Sequence, residues 1–389
     1  MNEKPPFLPY ARQTIGEDDI SAVVEVLRGD MLTTGPTVEA FEAALSKVTG
    51  AKHAICCSSG TAALHLAALA LELGPGDKVV VPSITFLATA NAARYVGAEV
   101  VFADVNPDTG LMDAVHFEQA IEQGGEKIKA VWPVHLAGQS PEMVKIRTMA
   151  HARNIIVIED ACHALGSTYP GEGGVATMVG SCADSHMVAF SFHPVKTIAM
   201  GEGGAVTTND DRLAERLRLL RSHGMVRDPD RKEPWVYKMA EMGFNYRASD
   251  IHCALGLSQL GKLETFSARR RELVALYDKA MAPLSPVLKP LTRMPGDPVW
   301  HLYVALIDFT AAGMDRAELM NKMSQSGVGS QVHYIPVHSQ PYYRERYGDG
   351  NFPGTGSYYS RCLSLPLFAG MTDEDVGRVV DVVSGLLCT

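Results

Sequence analysis

The chain has 389 residues, of which 46% are hydrophobic and 20% are charged, which is the composition of an ordinary soluble globular protein. Its 44 acidic and 35 basic side chains give a formal net charge of −9, which argues against a general nucleic-acid-binding protein. The length predicts two domains. Neither a signal peptide nor a membrane helix is recognisable, so we expect a cytoplasmic protein without a membrane partner.

Seven cysteines are scattered through the chain without the CxxC spacing of metal sites. Their odd number favours reduced thiols over a disulfide framework, and we expect no metal site. They are Cys56, Cys57, Cys162, Cys182, Cys253, Cys362 and Cys388.

The N-terminal part begins with two helical patterns and continues with strands that alternate with helices. Short apolar strands separated by helices predict a mostly parallel sheet that is covered on both faces. Ligands of such sheets bind at the carboxyl ends of the strands. Helices are predicted at 17–28, from Gly35 to Gly50, at 61–73, 85–95 and near 141–153, and strands at 54–57, 78–81, 100–103, 130–134 and 155–158.

Two of these strand ends carry residues suited to a cofactor. After the strand at 54–57, Gly60 and Thr61 open an apolar helix, whose free N–H groups and Thr61 hydroxyl can bind a phosphate. An ordinary N-cap at Ser59 explains the same residues. After the strand at 78–81, Phe86 stands at a helix start, where its ring can stack on a cofactor or belong to the core.

Lys196 is the central candidate for catalysis. An apolar strand from Val188 to Phe192 and a Pro-containing turn precede it, and a second strand from Gly204 to Thr208 follows. Burial would lower the pKa of this lysine and make its amine a nucleophile suited to a Schiff base, whereas a solvated surface lysine explains the stretch equally well. Asp160, at the end of an upstream strand, is costly in an interior unless a cation pairs with it. Pyridoxal phosphate (PLP) enzymes require such a lysine and such an aspartate, which pairs with the pyridinium nitrogen.

Further polar residues lie near these strand ends. His163 can donate to a phenolic oxygen of the cofactor or bond to the backbone. Ser191 can reach a phosphate from the strand that precedes Lys196. An amphipathic helix is predicted from Asp210 to Ser222, and Asn245 stands on a turn before the next helix, where capping or solvation explains it as well.

The composition changes near residue 263, where a long charged helix at 262–282 leads into a stretch with five prolines. We therefore expect a large domain at 1–262 and a small α+β domain at 263–389. The small domain is predicted to contain strands at 302–307 and 328–338, an apolar segment at 364–368 and helices at 316–326 and 372–387.

Taken together, these stretches resemble the sugar-nucleotide aminotransferases of the DegT/DnrJ/EryC1/StrS family. The resemblance runs from about Pro9 to the C-terminus. It implies a PLP-dependent transferase of fold type I, with a mostly parallel sheet in the large domain, and a homodimer whose active sites lie between the subunits. The motifs that carry it, in order, are SGTAAL, ITFLATANA, EDACHALGS, SFHPVKTI followed by GEGGAV, RSHGM and GFNYRASDI.

The resemblance assigns roles to individual residues. It makes Lys196 the Schiff-base lysine and Asp160 the partner of the ring nitrogen. The family often has Gln at the position where this chain has His163, and His163 would contact the phenolic oxygen in its place. The other implied cofactor contacts are Gly60, Thr61 and Ser191 to the phosphate, Phe86 as the stacking residue, and Asn245 to the phosphate from the neighbouring subunit.

Within the family, SFHPVKTI, RSHGM, NYRASDIHCALGLSQL and QVHYIPVH most resemble the branch that acts in pseudaminic acid biosynthesis. That likeness implies transfer of an amino group from L-glutamate, with pyridoxamine phosphate (PMP) as the intermediate cofactor form. The acceptor would be C4 of UDP-2-acetamido-2,6-dideoxy-β-L-arabino-hexos-4-ulose, and the product UDP-4-amino-4,6-dideoxy-N-acetyl-β-L-altrosamine. Candidates for sugar and UDP contacts, each equally explained by a structural role, are Thr33, His223, His333 and Tyr334.

Three alternatives remain open. The chain can be a transaminase for another nucleotide-linked 4-keto sugar, such as a perosamine or bacillosamine precursor. A related PLP-dependent sugar dehydratase is disfavoured, because that branch replaces the lysine with His and Lys196 is present. A catalytically silent PLP-fold binding or regulatory protein is the alternative from another class.

Overall fold

A computed structural model of the chain describes residues 6–228, 230 and 232–387. Cys388 and the outermost residues of the two expected domains lie outside these ranges. The helices are α1 (Glu17–Arg28), α2 (Pro36–Thr49), α3 (Gly60–Ala70), α4 (Leu87–Tyr95), α5 (Ala114–Gly124), α6 (Met143–His151), α7 (Asp211–Arg221), α8 (Asp250–Leu260), α9 (Leu263–Met281), α10 (Arg316–Gln325), α11 (Pro341–Tyr347), α12 (Pro353–Arg361) and α13 (Asp373–Leu387). The strands are β1 (His53–Cys57), β2 (Lys78–Pro82), β3 (Glu99–Ala103), β4 (Ile128–Val131), β5 (Ile156–Asp160), β6 (Thr168–Pro170), β7 (Ala176–Met178), β8 (Met187–Ser191), β9 (Gly204–Thr208), β10 (Met225–Val226), β11 (Lys238–Met239), β12 (Leu288–Pro290), β13 (Tyr303–Ile307) and β14 (Cys362–Leu365).

The largest sheet has seven strands in the order β1-β9-β8-β5-β4-β2-β3. Strands β3, β2, β4, β5 and β8 pair in parallel. Strand β9 runs antiparallel to both β8 and β1, so β1 points in the same direction as the parallel strands. The prediction of a mostly parallel α/β sheet is confirmed.

Both faces of this sheet are buried because its strands are apolar on both sides. In β2, Val79 and Val81 belong to a buried cluster that includes residues of α3, α4 and α7, whereas Val80 belongs to a second cluster that includes residues of α2, α5, α6 and α8. Alternate side chains of a strand point to opposite faces, so an uninterrupted valine run needs helices on both sides. The helices thereby leave the carboxyl ends of the strands as the open edge of the sheet.

The C-terminal part contains a smaller antiparallel sheet, β12-β13-β14, which the long helix α9 precedes. Buried residues of α9, α10 and α13, including Tyr277, Leu319 and Val379, cover it. Leu8 belongs to the same core, and its amide donates to the carbonyl of Gly327 at 2.9 Å. The N-terminal segment therefore packs against the C-terminal part of the chain.

The strand predicted at 328–338 is wrong. Its backbone makes only isolated bridges, between Val328 and Leu8 and between Gln331 and Ser364. Pro336 has no N–H group with which to continue a ladder, and the next amide, that of Val337, donates at 2.9 Å to the carbonyl of Ser83, in the loop that follows β2. The segment thus crosses from the small sheet to the open edge of the large one.

Two further observations concern the described ranges as a whole. The six cysteines within them are all free thiols, and only Cys162 among them is not fully buried. No helix in these ranges is both long and apolar enough to cross a membrane.

Candidate active site

A cavity of about 550 Å³ lies at the carboxyl ends of the parallel strands. Residues at or shortly after the ends of four strands line it: Gly60 after β1, Phe86 after β2, Asp160 at the end of β5 and Lys196 after β8. The segment that crosses from the small sheet closes its other side with Tyr334. The location agrees with the expected ligand position in a parallel sheet.

Asp160 is the last residue of β5 and is only 5% exposed. Both of its carboxylate oxygens accept hydrogen bonds from the protein. Oδ2 accepts from the hydroxyl of Thr89 at 2.6 Å, and Oδ1 accepts from the amide of Cys162 at 3.1 Å. These bonds hold a buried carboxylate at the cavity wall, and no cation among the described residues is hydrogen-bonded to it.

Lys196 lies in the turn after β8, where its amide donates to the carbonyl of His193 at 2.8 Å. Burial lowers the pKa of its amine, whereas Cys162 and Asp160 act in the opposite direction and do not offset the effect of burial. A lowered pKa raises the fraction of neutral amine, which is the form that attacks a carbonyl carbon.

The first turn of α3 forms the anion-binding side of the cavity. The hydroxyl of Ser59 caps this helix by accepting from the amide of Ala62 at 3.1 Å. A Cβ atom at Gly60 would lie 2.7 Å from Cβ of Ser191, so only glycine allows this approach of the helix to the end of β8. The amides of Gly60 and Thr61 have no acceptor inside their own helix and are suited to a phosphate.

His163 lies behind the turn after β5 and bonds through both ring nitrogens. Its Nδ1 accepts from the amide of Ala137 at 3.4 Å, so the ring proton belongs on Nε2, which lies 2.9 Å from the hydroxyl oxygen of Tyr334. Burial holds the pKa of His163 well below its usual value, and the nearby Lys196 and His333 lower it further. His163 is therefore a neutral donor at the cavity.

The remaining walls are aromatic. The ring of Phe86 is 54% exposed, and its centroid lies 6.0 Å from that of Tyr334. His333 is buried, and its Nδ1 lies 2.8 Å from the hydroxyl oxygen of Ser364. Burial lowers the pKa of His333 to about 3, so this imidazole is neutral.

The cavity brings together most of the residues predicted from the sequence. Three of the predicted residues do not line the cavity. Thr33 pairs through its backbone with Ser249, whereas His223 and Asn245 lie side by side on the backbone segments after α7 and before α8. The roles of these three residues stay predictions. The predicted residues that line the cavity are Gly60, Thr61, Phe86, Asp160, His163, Ser191, Lys196, His333 and Tyr334.

Sequence reasoning missed other residues that line the cavity. Cys162 lies inside the motif after β5 and could have been found there. Tyr10 and His301 come from distant segments without a recognisable motif. Their ring centroids lie 5.6 Å from that of His333 and 4.3 Å from that of His163, respectively.

The chemistry of the cavity matches the parts of PLP. An amine of lowered pKa suits the aldehyde carbon, and a buried carboxylate suits the ring nitrogen cation. The open N-terminus of α3, with its close glycine, suits the phosphate, and an exposed aromatic ring suits the pyridine face. The residues present therefore fit this cofactor.

Comparison with known proteins agrees with this geometry. Residues 13–384 match the model of the DegT/DnrJ/EryC1/StrS aminotransferase family. The chain is 38% identical over 388 residues to the spore coat polysaccharide biosynthesis protein SpsC of Bacillus subtilis, an alignment that covers 98% of this chain and 97% of SpsC.

Two solved structures show the same fold. PseC of Helicobacter pylori, an aminotransferase involved in the biosynthesis of pseudaminic acid, is 30% identical, with a TM-score of 0.89 over 98% of this chain and 99% of PseC. Spr1654 of Streptococcus pneumoniae, in its PLP form, is 29% identical, with a TM-score of 0.87 over 98% of each chain. The expected fold of PLP-dependent transferases is confirmed, and the predicted cofactor agrees with that of a solved relative. The chain belongs to the DegT/DnrJ/EryC1/StrS aminotransferase family.

Proposed function

We propose that the protein is a PLP-dependent aminotransferase that moves an amino group from L-glutamate to C4 of UDP-2-acetamido-2,6-dideoxy-β-L-arabino-hexos-4-ulose. The product is UDP-4-amino-4,6-dideoxy-N-acetyl-β-L-altrosamine, for pseudaminic acid biosynthesis. The proposed transaminase activity rests on one observation: Lys196 and Asp160 line the same cavity as the N-terminus of α3, which is suited to a phosphate. The similarity to PseC supports the choice of sugar.

Different residues of the cavity would bind different parts of the cofactor. Gly60, Thr61 and Ser191 would bind the phosphate, and the ring of Phe86 would stack on the pyridine ring. Asp160 would hold the proton on the ring nitrogen. His163 would donate its Nε2 proton to the phenolic oxygen, in place of its present bond to the hydroxyl of Tyr334.

Lys196 performs the proton transfer. Its lowered pKa supports covalent attachment to the cofactor aldehyde before the amino donor arrives. Its free amine would act as the acid–base group that moves a proton at Cα of the amino donor and, in the second half-reaction, at C4 of the sugar. When bound, PLP supplies an electron sink that stabilises the negative charge formed at the reacting carbon. Asp160 sustains that sink by retaining the ring proton.

The proposed enzyme is a homodimer with shared sites, in which residues 1–262 form the large domain and 263–389 the small one. Asn245 would reach the phosphate bound by the partner, and Thr33 and His223 would reach its substrate. The exposed apolar surface supports such a partner. It includes Tyr95, Trp235, Met239, Met242, Ile335 and Tyr342.

A second candidate is a transaminase for a different nucleotide-linked 4-keto-6-deoxy sugar. The similarity to SpsC, named for spore coat polysaccharide biosynthesis, favours it. PMP-loaded enzyme should be mixed with UDP-, GDP- and dTDP-linked 4-keto sugars, and the return of PLP absorption followed. We expect the UDP-linked L-arabino sugar to react fastest, with the altrosamine configuration by NMR. A faster reaction with a perosamine or bacillosamine precursor would favour the second candidate.

The role of Lys196 has its own test. Borohydride reduction of the holoenzyme should fix PLP to the peptide that contains Lys196, and Lys196→Ala should abolish both half-reactions. A label on another lysine would overturn the proposed site. Absence of any label and of the glutamate half-reaction would instead favour a silent PLP-fold protein.

A further inference from the structure

We propose that Thr89 is a positioning residue for Asp160 and that Thr85 fixes the direction of the Thr89 hydroxyl. The inference rests on the proposed function, since it concerns the carboxylate that would hold the ring proton. It assigns a role to two buried hydroxyl groups, neither of which is among the cofactor or substrate residues predicted from the sequence.

The three side chains form a chain of short hydrogen bonds. Thr89, in the first turn of α4, is fully buried, and its hydroxyl oxygen lies 2.6 Å from Oδ2 of Asp160. Thr85, which follows β2 and is 1% exposed, lies with its hydroxyl oxygen 2.7 Å from that of Thr89. The chain thus ties the helix start after β2 to the end of β5.

The chemistry of the groups fixes the direction of each bond. An ionised carboxylate can only accept, so the single proton of the Thr89 hydroxyl must point to Asp160. The hydroxyl of Thr89 then has only lone pairs to offer to Thr85, and Thr85 must be the donor in that bond. The hydroxyl of Thr85 therefore donates to that of Thr89, and the hydroxyl of Thr89 donates to the carboxylate of Asp160.

This arrangement leaves room for the cofactor. A carboxylate offers about four lone-pair positions. Thr89 and the amide of Cys162 occupy one on each oxygen, so positions remain for a ring N–H from the cavity. Because the two protein donors lie on different oxygens, they resist rotation of the carboxylate plane. The inference is that Thr89 keeps Asp160 in the orientation that the ring nitrogen requires.

The test compares variants that differ in the hydroxyl group alone. Thr89→Val keeps the branched shape and removes the donor, whereas Thr89→Ser keeps the donor. We expect kcat to fall about tenfold or more in Thr89→Val and to stay within about threefold of wild type in Thr89→Ser, because a hydrogen bond to a charged group is lost only in the first. Thr85→Val should lower kcat about threefold without a change in KM, since Thr85 acts through Thr89.

A second readout separates positioning from general destabilisation. With PLP labelled by ¹⁵N in the ring, the wild-type holoenzyme should give the chemical shift of a protonated pyridine nitrogen, and Thr89→Val should move it towards the unprotonated value. If Val cannot be accommodated at position 89, Thr89→Ala removes the same hydroxyl donor. The matched control is Thr49→Val, because Thr49 is equally buried but its hydroxyl donates to the carbonyl of Leu45 in α2. This control should leave both kcat and the ¹⁵N shift unchanged.

The outcomes distinguish the inference from the proposed function. If the wild-type ring nitrogen is unprotonated, the proposed role of Asp160 is wrong, and the positioning role that rests on it is overturned as well. If it is protonated but both Thr89→Val and Thr89→Ala leave the shift and kcat at the wild-type values, the positioning role is overturned. A Thr85→Val variant that raises only KM would identify Thr85 as a substrate contact and would overturn the two-threonine chain.

Discussion

Nε2 of His163 lies 2.9 Å from the hydroxyl oxygen of Tyr334, although 171 residues separate the two in the sequence. The two rings are inclined by only 27°. The bond connects the turn after β5 with the segment that crosses from the small sheet. It leaves a neutral imidazole with its Nε2 proton in the cavity, because the amide of Ala137 occupies Nδ1.

A pair of substitutions tests His163 as a donor. His163→Gln keeps an N–H donor of similar reach, so kcat/KM should stay within about tenfold of wild type. His163→Leu removes the donor, and kcat/KM should fall at least about tenfold further. Steady-state kinetics with L-glutamate and the preferred keto sugar measure both. Equal losses in the two variants would show that the ring packs against the cavity wall without donating.

The strand ends that carry Asp160 and Lys196 could be predicted because the chemistry is local. Asp160 ends the apolar strand β5, Lys196 lies in the turn after the apolar strand β8, and parallel strands bring their carboxyl ends to one edge. Helix α5 was not predicted, although Phe117 and Ala120 face the core at helical spacing.

The other half of the cavity could not be predicted, because it depends on packing between distant segments. A strand was predicted at 328–338, but the amide of Val337 bonds to the carbonyl of Ser83 instead of to a neighbouring strand. Tyr10 and His301 reach the cavity because the N-terminal segment and the segment before β13 pack beside it. No residue spacing encodes such contacts.

Asp160→Asn should still bind PLP but lose most of its activity. A neutral amide cannot stabilise the proton on the ring nitrogen, and a charge-assisted contact of about 3 kcal/mol corresponds to at least about a hundredfold in rate. Single-turnover absorption with L-glutamate would measure the loss, and a PLP titration would show that binding persists. Near-normal turnover would identify Asp160 as a structural carboxylate.

The buried histidines predict a loss of stability in acid. Burial lowers the pKa of His163, His301 and His333, that of His333 to about 3. Below about pH 6.5, these histidines therefore bind protons in the unfolded chain but stay unprotonated in the folded chain. Each histidine makes its full contribution to the free energy of unfolding above that pH. The contribution falls by about 1.4 kcal/mol per pH unit as the pH decreases towards the pKa of the folded state.

Urea unfolding of the holoenzyme at several pH values between about 6 and 4 would measure this dependence. His333→Asn is the comparison, since Asn keeps a polar group near Ser364 but does not titrate. The variant should lose stability less steeply, by about 1.4 kcal/mol per pH unit. Identical slopes in the two proteins would show that His333 is protonated in the folded state.

The last prediction concerns the shared site. Asn245 does not line the cavity that contains Lys196 of its own chain, and its backbone pairs with Ser222 at the end of α7. If Asn245 instead contacts the phosphate of the partner, each site of a two-fold dimer combines Lys196 of one subunit with Asn245 of the other. Lys196→Ala and Asn245→Asp should each be inactive alone, the second because a carboxylate repels the phosphate.

Unfolding the two variants together and reassembling them should then restore activity. Random pairing makes about half of the dimers mixed, and each mixed dimer holds one doubly altered site and one wild-type site, so activity should reach roughly a quarter of that of wild type. If Asn245 serves the site of its own chain, every site in a mixed dimer carries one lesion and mixing restores nothing. Mass spectrometry must show that mixed dimers formed, and wild type carried through the same procedure gives the reference activity. An inactive mixture that contains mixed dimers would refute the shared site, because its wild-type combination of Lys196 and Asn245 would then be present without function.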